Sequence, residues 1–156
     1  MATETLSAPV RLLKPIWKTN SKAAFGQLFF SHIMKDIENR ADIELLLKEF
    51  YNRLLKDGSI NYIFTEVAKL NLEEHLPHLA DFWEQTLFHT GGYRKNVMQI
   101  HLDFNQKEKL TDKHFETWLA HFYATADAYF AGPVTEAAKT RALSIANVMK
   151  IKIYSL

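Results

Sequence analysis

The chain has 156 residues, 47% of them apolar, 24% charged and 13% aromatic, with five Gly, four Pro and no Cys. That composition describes one compact aromatic-rich domain and excludes disulfides, iron–sulfur clusters, thiolate-ligated haem, c-type covalent haem attachment and cysteine nucleophiles. A formal charge of +1 gives no electrostatic footprint for nucleic acid, and no apolar run reaches the roughly 18 residues that would suggest membrane insertion.

Residues 1–33 carry Arg11, Lys14, Lys18 and Lys22 against Glu4, and Pro9 and Pro15 interrupt any helical period. This basic, acid-poor stretch resembles a targeting peptide in composition. The plainer reading is an N-terminal extension, disordered or loosely docked, or upstream sequence ahead of a start at Met34. It lacks a small-residue cleavage site after its Phe-rich stretch, which argues against secretion. A cytoplasmic location is the expectation.

From residue 36 the pattern is helical. Ile43, Leu46, Leu47, Phe50, Tyr51, Leu54 and Leu55 form one continuous apolar face, and Gly58 stands where a stop is expected. The segment 60–64, INYIF, is too short to assign. Asn71 followed by Glu74 has the form of a helix start with a capping box. The helix after it aligns His75, Leu79, Phe82, Trp83 and Leu87, with Pro77 inside it as a site for a kink. A break with Gly91 and Gly92 follows, then the short segment IHLDF at 100–104. Thr111 is the expected N-cap of a helix whose face holds Phe115, Trp118, Leu119, Phe122, Ala126 and Phe130. Gly132 ends it, and Pro133 suits the first turn of a last helix with Ala138, Ala142, Ile145 and Met149 in line. The predicted fold is an all-α bundle of about four long helices.

Seven histidines invite a search for chemistry, yet H-E-x-x-H, paired Glu-x-x-His, G-x-S-x-G, a P-loop and G-x-G-x-x-G are all absent from the sequence. His75 and His78 could share a metal but have no third ligand nearby. His78, about 300° round the helix from His75, is expected to point away from that face. His114 and His121 flank the Trp118 face and receive no role. His75 and His101 lie in apolar settings, and a buried imidazole needs a partner for its nitrogens. Two readings stay open on position alone. Either these are core histidines bonded to backbone carbonyls, or both face an apolar cavity that holds a flat cofactor.

The stretch from Met34 to Ile153 resembles the truncated haemoglobins, and within them the third group. The resemblance rests on an ordered set: EFYNRL at 49–54, His75 spaced eight residues before Trp83, GGY at 91–93, HLDF at 101–104 and FETWLAHF at 115–122. It implies a truncated globin-like two-over-two helical sandwich around haem b for residues 34–156. It also implies that His101 is the proximal ligand to iron, with Tyr51, Trp118 and His75 on the distal side. Phe50, Leu79, Phe82 and Phe115 would line the haem, and His75 would act as gate, donor or sixth ligand. Tyr93 matches a tyrosine near the haem edge. The sequence departs from the family at Arg94 and Lys95, where many members carry a glycine. The resemblance further implies oxygen binding or transport, with dioxygen and other diatomic gases bound reversibly at the iron. Two donors over the ligand favour retention, which suits sensing, storage or detoxification better than rapid delivery. A second reading makes the same site a nitric oxide dioxygenase or peroxidase. No flavin or nicotinamide motif is present, so that reading calls for a separate reductase. A third reading is a helical interaction module without cofactor.

Overall fold

The structure, a computed structural model, describes residues 34–91 and 105–155; residues 1–33, 92–104 and 156 lie outside the description. The IHLDF segment, with His101, and Tyr93 to Lys95 therefore fall outside it. The described residues belong to a single compact unit. Among them the regular elements are all helical: α1 (Arg40–Leu54), a π-helical turn (Ile63–Val67), α2 (Leu72–Phe88), α3 (Asp112–Tyr129) and α4 (Pro133–Tyr154). None of these helices is long and apolar enough to cross a membrane.

Helix α1 buries Ile43, Leu46, Leu47, Phe50, Tyr51 and Leu54 of the face expected of it, while Leu55 ends it as a half-buried C-cap residue. Asn39 caps it, its Oδ1 accepting from Asp42 N–H at 3.2 Å. The main contacts run from α1 to α2, from α1 to α3 and from α3 to α4, with a lesser one between α2 and α4. That is one helix pair, α1 and α2, laid over another, α3 and α4. Arg40 fixes the angle within the first pair. Its guanidinium holds Asp81 at 2.7 Å and Glu84 at 2.8 Å on α2, and donates to the Pro77 carbonyl at 3.3 Å. Helix α2 runs unbroken through Pro77, so the expected kink does not divide it. Asn71 is its N-cap residue, but the side chain makes no capping bond and the anticipated capping box is absent there. The box forms instead at α3, where Thr111 N–H donates to His114 Nδ1 at 3.2 Å. Histidine thus stands in the place that Glu or Gln usually fills.

The α3–α4 turn depends on Gly132, whose φ of 156° and ψ of −179° lie in a region open essentially to glycine alone. Pro133 opens α4, as its fixed φ suits. Asp36 reaches across to the new helix start. Its carboxylate accepts from Val134 N–H, Thr135 N–H and Ile37 N–H at 2.8 Å each, and from the Thr135 hydroxyl at 2.7 Å. Burial pushes the Asp36 carboxyl up, but the bonds from Thr135, Val134 and Ile37 outweigh it and hold the group below the ordinary carboxylate value. A Cβ at position 132 would collide with the Asp36 carboxyl carbon. Gly132→Ala should therefore cost at least about 2 kcal/mol, adding backbone strain to a lost cap. A loss of unfolding free energy in urea smaller than about 0.5 kcal/mol would show that the turn rearranges freely.

Below α1, Asp57 ties the chain to α3. It accepts from the Ser59 hydroxyl at 2.7 Å and from Ser59 N–H at 2.9 Å, and pairs with His121 Nε2 at 2.7 Å. The Ser59 hydroxyl, His121 and the Ser59 amide together pull its pKa down from 3.8 to about 2. A carboxyl that is more acidic folded than unfolded adds stability above its unfolded value and loses it as pH falls toward the folded one. The stability gap between wild type and Asp57→Asn should therefore be full at pH 6 and closed by about pH 2. Denaturation midpoints across that range test this, and an equal gap at both ends would refute it.

Candidate functional site

A cavity of about 260 Å³ lies between the two helix pairs, just under the roughly 300–1,000 Å³ range of small-molecule pockets. Each element contributes wall. From α1 come Leu47, Phe50 and Tyr51, and from the π-turn and the residue stretch around it Ile60, Ile63 and Phe64. Helix α2 adds His75, His78, Leu79, Phe82 and Trp83. Helix α3 adds His114, Phe115, Trp118 and Phe122, and α4 closes the wall with Ile145, Ala146 and Met149. The lining is mostly apolar, and Phe50 and Phe122 are essentially inaccessible.

Of the residues singled out in the sequence, Tyr51, Trp118, His75, Phe50, Leu79, Phe82 and Phe115 all border this one cavity. His101 and Tyr93 lie outside the described residues. His75 is exposed and stands at the solvent end of the wall. His78 is a correction: it borders the cavity too. An advance of three residues is about 300°, but that is only about 60° short of a full turn, so His78 lies beside His75 rather than behind it. Among the described residues no group of three or more His, Asp or Glu is placed to hold a metal.

The polar groups on the wall differ in what they can do. His114 uses Nδ1 to accept from Thr111 N–H and places Nε2 3.3 Å from the Tyr62 hydroxyl. With Nδ1 accepting, Nε2 carries the proton and donates to Tyr62, which in turn donates to Glu108 at 3.3 Å. Both ring nitrogens are thereby engaged outside the cavity, and His114 offers it only carbon. Tyr51 is the opposite case. Its ring is wedged against Phe50, at 4.9 Å, and Phe64, at 6.1 Å, and its hydroxyl has no partner among the described residues. Burial alone pushes the phenol well above its ordinary value, so it keeps its proton and remains a donor. The Trp118 indole N–H likewise has no acceptor among the described residues. No fully enclosed side-chain polar atom there is left unpaired, so neither donor is sealed off, and both residues border the cavity.

The sequence reading missed the π-turn and the α4 wall. In the turn, Ala68 N–H bonds the Ile63 carbonyl five residues back at 2.9 Å, and Lys69 ends it at φ 48°. This wider winding aims both Ile63 and Phe64 at the cavity, and π-turns recur at functional sites.

No family model matches the chain. A curated relative, the group 3 truncated hemoglobin ctb of Campylobacter jejuni, is 25% identical over 119 residues, which cover 74% of this chain and 91% of the relative. The crystal structure of the group III truncated hemoglobin from Campylobacter jejuni matches with a TM-score of 0.68 at 25% identity, over 78% of this chain and 96% of that one. This chain is similar to the group III truncated haemoglobins. Its fold is theirs: the pair α1 and α2 laid over α3 and α4 is the truncated-globin sandwich, and the cavity occupies the space between the layers.

Proposed function

We propose that residues 34–156 form a globin domain that holds haem b in this cavity, with His101 as the protein ligand to iron, and binds dioxygen and other diatomic gases reversibly. The observation that carries the reading is a pair of donors, Tyr51 O–H and Trp118 N–H, at the wall of an apolar cavity with no acceptor among the described residues. Donors left this way in an apolar site call for a polar guest. The relatives carry the name truncated hemoglobin, which supports the same guest. The residues present fit the group: flat aromatic walls, imidazoles at the rim, and two donor-bearing side chains in the lining.

When bound, the haem supplies an iron that coordinates a diatomic gas and leaves partial negative charge on it. The chain supplies the rest. Tyr51 and Trp118 donate toward that charge. Phe50 braces Tyr51, while Leu79, Phe82 and Phe115 exclude water, which strengthens both hydrogen bonds. Turnover as a nitric oxide dioxygenase or peroxidase would need electrons from a separate reductase. A cysteine-free chain suits a reducing compartment such as the cytoplasm.

The test is an absorption spectrum of the reduced protein with and without carbon monoxide, alongside a hemin titration read by tryptophan fluorescence. A 1:1 endpoint with a histidine-ligated spectrum is expected. A colourless chain that takes up no hemin would refute the proposal. His75, exposed at the cavity's edge, would act as a gate. His75→Leu should change the gas association rate more than the dissociation rate, and the reverse result would make it a donor instead.

A further inference from the structure

Trp118 is half-buried, and its indole borders the cavity. A tryptophan side chain turns about two bonds, so the direction of its N–H is set by what the ring leans on. Here the ring leans on Phe122, with centroids 5.7 Å apart and planes 17° from parallel. Phe122 is itself wholly buried and carries a second indole: Trp83, from α2, stacks on it at 5.0 Å and 19°. Phe50 closes the cluster, meeting Trp118 edge-on at 5.5 Å and Phe122 at 5.4 Å. The same Phe50 ring touches Tyr51 at 4.9 Å. One phenylalanine is thus shared by two indoles, and a second links both donors.

We propose that Trp83 and Phe122 are positioning residues for Trp118, so that a ring carried by α2 sets the aim of a donor carried by α3. This rests on the ligand-binding reading above and adds to it two residues of the cavity wall that act through the indole. A stacked face fixes an indole more narrowly than an aliphatic surface does, because offset stacking favours a particular tilt as well as contact. Arg40, by locking α2 to α1, holds Trp83 in register with Phe50.

The experiment is a double-mutant cycle on the dioxygen dissociation rate of the haem-loaded full chain. Trp83→Leu should raise that rate roughly two- to tenfold, the scale of aromatic pair energies. Trp83→Phe, which returns a flat ring, should bring it back to within about twofold of wild type. In a Trp118→Phe background Trp83→Leu should add nothing, because its effect passes through the missing indole. A wild-type rate in Trp83→Leu, or the same increment in both backgrounds, would overturn the proposal. A second readout does not depend on gas binding. The Trp118 indole N–H resonance, assigned by its loss in Trp118→Phe, should shift or broaden in Trp83→Leu and in Phe122→Leu. An unmoved resonance in both variants would overturn the positioning role. If Trp118→Phe itself leaves dissociation unchanged, the donor reading of the site fails, and the resonance still decides whether the stack orients the ring.

Discussion

His101→Ala should leave a folded helical protein that no longer retains haem at one equivalent per chain. The described helices α1 to α4 share a large apolar core, so one substitution to alanine should change far-UV circular dichroism little. The hemin affinity should fall at least about a hundredfold, since even partners one shell removed from a metal ligand are worth 10–100-fold. The cavity offers limited replacements. His114 has both nitrogens committed, to Thr111 and Tyr62, and cannot turn one inward without breaking its helix cap. His75 and His78 sit at the exposed end of α2, and a rescue by either would come with a different spectrum. Stoichiometric haem with an unaltered spectrum in His101→Ala would therefore dismiss the proximal assignment. Haem extraction against a competing apoprotein gives the same answer kinetically, with loss expected to be complete in the variant while wild type holds its haem.

The helices were legible because burial on one side leaves a 3.6-residue trace. Every residue from Ile43 to Leu54 expected on the inner face of α1 is buried, and Thr111 and Pro133 mark helix starts as their chemistry dictates. Two kinds of feature left no such trace. The π-turn at Ile63–Val67 has a period of its own and only five residues to show it. The α4 wall of Ile145, Ala146 and Met149 carries the same pattern as any packed helix, and periodicity does not say whether the facing side is protein or cavity. The histidines show a third difficulty. His75 and His78 were separated by counting degrees in one direction, when on a helix three steps forward nearly closes the turn. His114, given no role by the sequence pattern, caps its helix. Chemistry alone left core and ligand histidines indistinguishable, and the family resemblance supplied the choice of His101. The stack of Trp83 and Trp118 on Phe122 was beyond reach, because the three rings come from two helices and only the tertiary arrangement brings them into contact.

Removing both donors, with Tyr51→Phe and Trp118→Phe together, should speed dioxygen dissociation by roughly 10²–10⁴. A hydrogen bond to a charge-bearing acceptor is worth about 1.5–3 kcal/mol, and each 1.4 kcal/mol is a factor of ten. Each single variant should then give about tenfold or more. Both substitutions keep a ring in place, so wall shape and the contacts of Phe50 with its neighbours largely survive. The two effects need not add. Phe50 touches both rings, so freeing one donor changes the support of the other, and a cycle should show coupling beyond the few tenths of a kcal/mol seen for distant sites. Carbon monoxide is the control, because it carries less negative charge when bound and should lose far less than dioxygen in the same variants. Equal acceleration for both gases would mean the substitutions opened an exit rather than removed hydrogen bonds. No acceleration for dioxygen in either single variant would mean that neither the phenol nor the indole reaches the ligand, however open the cavity before them.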